Sequence, residues 1–539
     1  MRYATAMRLA RLGGAALAAL AALAGGFYAL YLTEPTRAPP VAPSVTAFEE
    51  LEIPFHHRWD DEKSHSFLGA AAIDIDGDGA MEVFLGGGHE QDDVLLSYRD
   101  GRLHDVIADT GLSARAATYG ATAIDIDGDD DTDLFVARAD GVSLYLNHGG
   151  AFKRRAIDAN LDPEADPFAV SVADYDGDGD GDLYISVFIA YPSFVGRVYN
   201  DPEVVRRDRL LRNDGDLRFT DVTAEAGVAG PYNTFQATWV DLDLDGDQDL
   251  VVAPNTGQVA IFRNHGGRLQ RQPSPSKYGF WMCSAVADID NDGDQDLFFS
   301  NSGAIVPQLL LTGDLRADQA FSSDWLLLRN DGDLRFTDVT AEYGLSGFGF
   351  AWGANFADLN LDGYADLVVS QNAEKLPMHR LQALRPTSKA FLNLPAGADR
   401  RGFFHIDALG LQRPDYGMAP LFVDLDQSGT LDVIMVNQNQ PAHAYLNRSS
   451  AKRLEVHIPD TVAALGARVT VETERGPAAT QEVLSSVGFL GDHSPTLVFG
   501  LGDAERVQAV RVVWPRHLDA PDTVITDAPV NGRVTVALP

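Results

Sequence analysis

Cysteine is almost absent from this chain of 539 residues, in which Cys283 is the single example. A lone thiol cannot form an internal disulfide, so the fold must be held without a disulfide framework. Cys283 lies beside an apolar run, and we expect it to be a small buried hydrophobic residue. Basic residues are also scarce, since 42 lysines and arginines stand against 78 acids, for a formal net charge of −36. That balance argues against nucleic acid as a partner, because phosphate binding needs clustered positive charge.

Acidic residues instead recur in seven short loops that share one spacing, which begin at Asp74, Asp125, Asp174, Asp241, Asp288, Asp358 and Asp424 and are here called acidic loops 1 to 7. Counted from the first aspartate, oxygen-bearing side chains stand at positions 1, 3, 5 and 9. Position 6 is glycine except in loop 2, which has Asp130 there. The side chains at these four positions are Asp74, Asp76, Asp78 and Glu82; Asp125, Asp127, Asp129 and Asp133; Asp174, Asp176, Asp178 and Asp182; Asp241, Asp243, Asp245 and Asp249; Asp288, Asp290, Asp292 and Asp296; Asp358, Asn360, Asp362 and Asp366; Asp424, Asp426, Ser428 and Asp432.

The acidic loops have the composition of calcium sites, since hard cations take six to eight oxygen ligands. They are not EF-hands, which need a glutamate at position 12, because position 12 is apolar in all seven loops. They are not nine-residue β-helix repeats either, since successive loops begin 47 to 70 residues apart. We predict up to seven bound Ca²⁺ ions. Loop 7 is the weakest candidate because Ser428 replaces a carboxylate, and loop 6 is weakened less because the Asn360 amide oxygen can still bind a metal.

Each acidic loop lies between two apolar stretches, which predict two strands joined by a hairpin. A third strand follows and ends in a marker asparagine at Asn147, Asn213, Asn264, Asn330, Asn393 or Asn447, with Asp100 in its place in the first repeat. A turn then leads to a fourth strand, and the segment LRNDGDLRFTDVT stands unchanged at 211–223 and 328–340. Four antiparallel strands repeated seven times predict an all-β, seven-bladed β-propeller.

The last repeat lacks an obvious fourth strand after Asn447. We predict that 48–53 supplies it and closes the ring, because closure removes open strand edges. Residues 452–539 alternate apolar and polar side chains and predict a small β-sandwich or barrel after the propeller. In that domain, Phe499 and Trp514 are expected to be core residues.

The repeats resemble the FG-GAP/VCBS repeats of integrin α-type propellers, in which D-x-D-x-D-G-x-x-D loops bind calcium. That resemblance implies ligation by positions 1, 3, 5 and 9 and by a backbone carbonyl at position 7. The tail resembles the ASPIC/UnbV domain that follows such propellers in proteins similar to cartilage acidic protein 1. It does so through GARV at 466–469, LVFGLG at 497–502, and Trp514 with Pro515. The expected divisions are a signal anchor or signal peptide at 1–33, a linker at 34–47, the propeller at 48–450 and the ASPIC/UnbV-like β domain at 451–539.

The N-terminus carries Arg2, Arg8 and Arg11 before an uncharged apolar run at 12–32. Twenty-one such residues are enough to span a bilayer as a helix. Basic residues on its N-terminal side predict that the rest of the chain lies outside the cytoplasm. Cleavage after Ala24 by signal peptidase is the alternative to an uncleaved anchor. In both cases the propeller is extracytoplasmic, and its membrane contact is through the N-terminal helix alone.

The connections between second and third strands must all emerge on the face opposite the acidic loops. Three of them are long, at 186–209, 300–325 and 371–389, and long loops on a rigid scaffold are common binding elements. Two of these connections are relatively basic. The first contains Arg197, Arg206, Arg207 and Arg209, together with the aromatic residues Tyr191, Phe194 and Tyr199. The third contains Lys375, Arg380, Arg385 and Lys389 against one acid, Glu374. We predict that a protein or an anionic glycan binds this opposite face. The resemblance implies the same, because integrin-type propellers bind ligands on the face away from their calcium loops. The alternative is that these loops only pack over the channel.

The sequence contains no H-E-x-x-H, G-x-S-x-G or P-loop pattern, so we predict an adhesion or interaction module rather than an enzyme. The alternative is a metal-dependent extracytoplasmic enzyme that uses His56, His57, His65 and His89, or a site in the propeller channel. Adjacent residues of a strand point to opposite faces, which argues against one site that uses both His56 and His57.

Overall fold

The computed structural model describes residues 34, 35, 37, 39, 48–60, 63–190, 199–202, 204–303, 311–372, 386–397, 400–407, 410, 411, 413–475 and 479–539. These residues form strands β1 to β36 and a few single helical turns. Across those ranges, no helix has the length and hydropathy that a membrane crossing requires. The expected anchor at 1–33 and most of the linker at 34–47 lie outside the described residues, and the domain boundaries remain predictions.

Seven four-stranded antiparallel blades form a propeller, and a fifth strand from the C-terminal residues joins the sheet of blade 1. Blades 1 to 6 each take four consecutive strands. Their strands are β2 (Ala70–Ile73), β3 (Glu82–Leu85), β4 (Val94–Arg99) and β5 (Arg102–Asp105); β6 (Thr118–Ile124), β7 (Asp133–Arg138), β8 (Gly141–Leu146) and β9 (Lys153–Ile157); β10 (Ala165–Ala173), β11 (Asp182–Ile189), β12 (Arg209–Asn213) and β13 (Phe219–Asp221); β14 (Thr234–Val240), β15 (Asp249–Pro254), β16 (Ala260–Asn264) and β17 (Leu269–Gln272); β18 (Ala285–Ala287), β19 (Asp296–Phe299), β20 (Leu326–Asn330) and β21 (Phe336–Asp338); β22 (Ala351–Ala357), β23 (Asp366–Gln371), β24 (Lys389–Gly397) and β25 (Arg400–His405).

Blade 7 joins the two ends of the ring. It contains β26 (Gly417–Val423), β27 (Asp432–Asn437) and β28 (Pro441–Asn447), and its outer strand is β1 (Phe48–His56). Strand β1 pairs antiparallel with β28, from Phe48 opposite Asn447 to His56 opposite Pro441. The prediction that 48–53 closes the ring is therefore confirmed, and so is the all-β propeller class. The first strand of each blade is the innermost, as β10 shows by lying against both β6 and β14.

The C-terminal residues form two further sheets on the acidic-loop face of the propeller, and we call this unit the cap. Its strands are β29 (Arg453–His457), β30 (Arg468–Thr473), β31 (Ala479–Glu482), β32 (Gly491–Asp492), β33 (Leu497–Gly500), β34 (Val507–Val513), β35 (Thr523–Thr526) and β36 (Gly532–Thr535). One sheet has the order β33-β29-β36, and the other has the order β31-β30-β34-β35. Phe499 and Trp514 are buried in a core that continues into blades 2 and 3, which confirms the expectation that they are core residues. Cys283 is also fully buried, as expected.

One segment of the cap, Ser485–Ser494, enters the channel of the propeller, and we call it the hub segment. It forms hydrogen bonds with the innermost strand of blades 1 to 4, 6 and 7 and with the residue that precedes the innermost strand of blade 5. The partners in blades 1 to 7 are Ala70, Ala123, Val172, Gln236, Ser284, Asn355 and Phe422. Strand β32 also pairs in parallel with β2. The hub segment thus satisfies backbone groups that would otherwise face the channel without a strand partner.

Candidate metal centres

The acidic loops connect the first and second strands of every blade, as predicted. The residue at position 9 is the first residue of the second strand in all seven blades. All seven loops therefore emerge on one face, where the cap lies. The ligand atoms of three acids approach within 4.8 Å of one another in loop 1 (Asp74, Asp76 and Asp78), loop 2 (Asp125, Asp127 and Asp133) and loop 3 (Asp174, Asp176 and Asp182). Oxygens that share a calcium ion at 2.3–2.6 Å lie within about 5 Å of each other, so this spacing suits calcium.

The aspartate at position 1 organises each loop through backbone N–H donors. In loop 3, Asp174 Oδ1 accepts hydrogen bonds from Gly177 N at 2.9 Å and Asp178 N at 3.0 Å. Its second oxygen accepts one from Gly179 N at 2.9 Å. The same arrangement recurs in loop 5, where Asp288 accepts from Asp292 N and Gly293 N. The first carboxylate thus holds the backbone of its loop in a closed turn.

The loop conformation explains the glycine at position 6. Glycines at this position have φ between 81° and 98°, which is a left-handed backbone that favours glycine. Asp130, the exception, has φ of 70°. Position 4 is left-handed as well, and there Leu244 and Leu361 hold φ of 62° and 61°. A leucine is strained in this left-handed conformation, so the loop shape costs conformational free energy at these two residues.

The carboxylate at position 9 joins its own loop to the third strand of its blade. In loop 5, Asp296 Oδ2 accepts a hydrogen bond from Ile289 N at 2.9 Å, and Oδ1 accepts one from Asn330 N at 2.8 Å. The same pair of bonds is present at Asp133, Asp182, Asp249, Asp366 and Asp432. The side chain is therefore fixed between its own loop and the third strand.

Several acidic side chains in the loops have buried oxygens without a hydrogen-bond partner. These atoms are Asp176 Oδ1, Asp241 Oδ1, Asp243 Oδ1, Asp290 Oδ1 and Asp426 Oδ1, whereas Asp243 Oδ2 pairs with the Arg263 guanidinium. A buried polar atom without a partner is costly, and a buried anionic oxygen more so. A cation at the centre of the loop would supply the missing partner, so the residues fit calcium.

Burial and neighbouring acids also raise the pKa values of these carboxyls. Burial first, and then Asp176 and Asp174, raise the pKa of Asp182 to about 9. Burial raises the pKa of Asp288, Asp358 and Asp432 to about 8 in each case. Without a cation the folded protein therefore holds protons that an unfolded chain would have released.

We expect the metal-free protein to lose stability as the pH rises. These carboxyls have an ordinary pKa of 3.8 and folded values from about 6 for Asp424 to about 9 for Asp182. A raised folded-state pKa contributes stability that is present at low pH and lost as pH rises through the folded values. In metal-free buffer the thermal midpoint should fall between pH 6 and pH 9. With saturating calcium, which binds the ionised loops, the fall should disappear, and the same trend in both buffers would contradict this prediction.

The marker asparagines link each blade to the acidic loop of the preceding blade. The side-chain Nδ2 of Asn330, in blade 5, donates to the carbonyl oxygen of Leu242, at position 2 of loop 4, at 2.7 Å. Four other marker asparagines make the same bond to position 2: Asn147 to Ile75, Asn264 to Tyr175, Asn393 to Ile289 and Asn447 to Leu359. The sequence showed the recurrence of these asparagines but not their purpose, because the bond crosses between blades.

Replacement of Asn330 by alanine should destabilise the protein by about 1–3 kcal/mol, since it leaves the buried carbonyl of Leu242 unpaired. Chemical denaturation of the calcium-loaded protein measures this change. Gln270→Ala, which removes an exposed amide from β17 of the adjacent blade 4, is the matched control and should be close to neutral. Equal effects of the two substitutions would contradict the proposed link.

Loop 7 differs from the others at its fifth position, where a hydroxyl replaces the carboxylate. The Ser428 hydroxyl lies 2.8 Å from Thr430 Oγ1 and 3.4 Å from Asp424 Oδ1. The Arg448 guanidinium forms an ion pair with Asp426. This loop keeps the lowest expected calcium affinity of the seven, because Ser428 replaces a carboxylate whereas Asn360 of loop 6 still offers an amide oxygen.

Basic groups of the cap meet several acidic loops. Arg516 Nη1 lies 3.1 Å from Asp247 in loop 4, and His517 Nδ1 lies 3.4 Å from Asp174 in loop 3. An acidic residue of the cap makes a contact as well: Glu482 accepts a hydrogen bond from the backbone N–H of Asp241 at 3.0 Å. The cap is therefore positioned by direct contacts with the candidate metal loops.

The four histidines of the enzyme alternative contact different neighbours. His56 is exposed and His57 is buried, as expected for adjacent residues at a strand end. His57 Nδ1 accepts the Asn439 N–H of blade 7 at 3.2 Å, and burial lowers the pKa of His57 to about 3. His65 Nε2 lies 3.0 Å from the Ile189 carbonyl of blade 3, and His89 lies 4.0 Å from Glu90. The channel, which the same alternative invoked, is entered by the hub segment.

The structure corrects the role expected for some basic residues of the opposite face. Arg206 and Arg209 are buried and pair with Glu164 and with Asp162, respectively, so they hold the fold instead of facing a partner. Tyr199 is enclosed by Tyr278, Phe280 and Phe321. Lys389 is buried as well, whereas Arg207 is largely exposed. Other predicted partner-face residues lie outside the described residues: Tyr191, Phe194, Arg197, Glu374, Lys375, Arg380 and Arg385.

Comparison with known families agrees with the resemblance seen in the sequence. The model for FG-GAP-like repeats matches residues 74–136, 125–185 and 241–299, and the model for ASPIC and UnbV matches residues 459–538. Cartilage acidic protein 1 of Homo sapiens is 24% identical over 355 residues, which cover 60% of this chain and 50% of that protein. The Mus musculus protein of the same name is 23% identical over 351 residues, or 60% of this chain and 51% of that protein. The chain spans about half the length of these curated relatives.

Similar solved structures share little sequence with this chain. The exotype rhamnogalacturonan lyase YesX has a TM-score of 0.40 at 12% identity and covers 74% of this chain and 75% of its own. YCF48 bound to D1 peptide has a TM-score of 0.41 at 9% identity and covers 77% of this chain and 100% of its own.

Proposed function

We propose, from the premise that this chain joins FG-GAP-like repeats to an ASPIC and UnbV domain, that it is a calcium-stabilised extracytoplasmic interaction or adhesion module. The observation that carries the proposal is the set of buried carboxylate oxygens without partners in the repeated loops. Up to seven Ca²⁺ ions would bind there, one to each acidic loop. We assign the protein no catalytic role.

The role of calcium would be to stabilise the folded structure. It supplies positive charge to clustered carboxylates, and the chain holds the ligands through position 1, position 9 and the marker asparagines. An ion that binds only the folded state stabilises that state. Because the loops also contact the cap, calcium would stabilise the blades and the cap together.

An extracytoplasmic location fits both the calcium requirement and the N-terminal apolar run at 12–32. We propose that this run tethers the protein to a membrane as an uncleaved anchor. Basic residues precede the run and none lies within it, which supports an orientation with the rest of the chain outside the cytoplasm.

The opposite face is the proposed partner surface, for a protein or an anionic glycan. Two observations support it: the cap covers the acidic-loop face, and two long connections of the opposite face pack on each other. Asn200 Nδ2, from blade 3, donates to the Asp314 carbonyl of blade 5 at 3.0 Å. Tyr199 N donates to Asp314 Oδ1 at 2.9 Å. Connections fixed in this way form a preorganised surface, which lowers the cost of binding.

The test is retention of surface proteins and glycans by the immobilised, calcium-loaded full chain. Arg207 and Lys277 are exposed on the opposite face, and a variant with Arg207→Glu and Lys277→Glu should retain the partner several-fold less well. Arg475→Glu, at an exposed site of the cap, is the matched charge reversal and should bind like the wild type. Equal loss in both variants, or no loss in either, would refute the proposed face.

A further inference from the structure

The short stretch after the N-terminal apolar run is bound to the opposite face of blade 6. Glu34 Oε1 accepts hydrogen bonds from Gly349 N at 3.0 Å and from Gln371 Nε2 at 3.1 Å. Its Oε2 pairs with Lys389 Nζ at 2.8 Å, and the Lys389 side chain is 7% exposed. A buried ammonium with a carboxylate partner is a specific contact, because either charge alone would be costly there.

All three partners of Glu34 lie at the same end of the blade. Gly349 precedes β22, Gln371 is the last residue of β23 and Lys389 is the first residue of β24. Each of these positions is at the strand end farthest from acidic loop 6. The contact therefore fixes the chain at the opposite face and not at the face that carries the cap.

Neighbouring residues support the same position. Pro35 lies against Gly347, since a Cβ added to Gly347 would be 3.3 Å from the Cγ of Pro35. The Arg37 guanidinium lies 4.7 Å from the centre of the Phe404 ring, and its Nη1 donates to the Glu342 carbonyl at 3.5 Å. Three residues thus follow the opposite face between blades 5 and 6.

The length of chain before Glu34 limits the distance to a membrane. The apolar run ends at Leu32 and only Thr33 stands between it and Glu34. Two residue steps span at most about 7 Å even when fully extended. If the run spans a bilayer, the Glu34 contact must therefore lie close to the bilayer surface.

We propose that the opposite face is held against the bilayer that contains the anchor, with the cap directed away from the membrane. This inference rests on the proposed N-terminal anchor.

The proposal also narrows the class of partner. A surface held near the membrane is accessible to headgroups and to groups displayed within a few ångströms of them, and less accessible to large soluble proteins. The occupant to which we commit is the lipid surface itself, so the protein or anionic glycan proposed above would have to be displayed at that surface. A membrane protein that requires the same face is the competing outcome of the test below.

The test compares the distances of the two faces from a membrane. The full chain is placed with calcium in vesicles of phosphatidylcholine and phosphatidylglycerol that contain an acceptor dye on a headgroup. A donor dye is attached at Lys277→Cys on the opposite face or at Val524→Cys on the cap, where Val524 is 47% exposed. Cys283 is fully buried and should not be labelled in the folded protein. A single strand of seven residues already separates the faces by about 23 Å, so energy transfer from Lys277→Cys should be several-fold greater.

Equal transfer from both sites, or greater transfer from the cap, would overturn the proposal. Transfer from the opposite face that appears only after membrane proteins are added would overturn it in favour of a protein partner. Glu34→Gln should reduce the difference between the two sites, because it removes the charge that holds the tether to Lys389. Glu49→Gln, which changes an exposed glutamate of β1 paired with Arg448, is the control and should leave the difference intact. An unchanged difference in the Glu34 variant would overturn the assigned role of that residue.

Flotation of the vesicles is measured on the same samples. A chain that does not float with them has no anchor, and the proposed orientation is then wrong. The calcium dependence of the thermal midpoint, recorded in parallel, shows separately whether the calcium-stabilised module survives that result.

Discussion

Replacement of Phe489 by alanine is expected to lower the free energy of unfolding by about 3–5 kcal/mol, the usual range for a buried phenylalanine. Phe489 belongs to the hub segment and is 3% exposed. Its ring lies 6.0 Å from Phe67, 5.9 Å from Phe235 and 5.9 Å from Trp352, which come from blades 1, 4 and 6. The substitution therefore opens a cavity where three blades meet the cap.

Urea denaturation of the calcium-loaded protein measures this effect. Val524→Ala, at an exposed strand position of the same domain, is the control and should change the free energy by less than about 0.5 kcal/mol. If Phe489→Ala were as mild as the control, the hub segment would not stabilise the ring. The calcium content should stay the same in both variants, because neither residue belongs to an acidic loop.

Removal of calcium is expected to have a still larger effect. An ion present at a thousand times its dissociation constant contributes about 4 kcal/mol to the stability of its folded site. Several such sites would together exceed the 5–15 kcal/mol that is typical of a whole folded domain. A calcium chelator should therefore lower the thermal midpoint by tens of degrees or unfold the propeller outright.

Magnesium provides the control for simple charge screening. It is smaller than calcium, prefers six ligands in a strict octahedron and gives up its water reluctantly. Added magnesium should restore little of the lost stability, whereas added calcium should restore all of it. Full recovery with magnesium would mean that the loops require only general neutralisation.

The repeated features of the fold could be predicted from the sequence because they are local. Position 1 and position 9 of each acidic loop stand at fixed spacing between two apolar stretches, so the hairpin follows from the chain itself. The closing strand was predictable for a related reason: six blades had a fourth strand, the seventh lacked one, and residues 48–53 had the right pattern.

Features that depend on contacts between distant parts of the chain could not be predicted in the same way. The hub segment contains serines and glycines and reads as an ordinary loop, although its Leu490 N–H donates to Gln236 of blade 4 and its Asp492 accepts from Ala123 N of blade 2. Arg206 and Arg209 looked like a basic surface, but acids far away in the sequence pair with them. Glu34 gave no signal at all, because its partners belong to three separate elements of blade 6.

The central claim, that the acidic loops hold calcium, is tested most directly by native mass spectrometry of stripped protein with calcium restored. We expect six or seven bound ions in the wild type. Asp182→Ala should bind one ion fewer, because it alters a loop with carboxylates at all four ligand positions. A wild-type protein that binds no calcium, or a variant with an unchanged number of ions, would contradict the account.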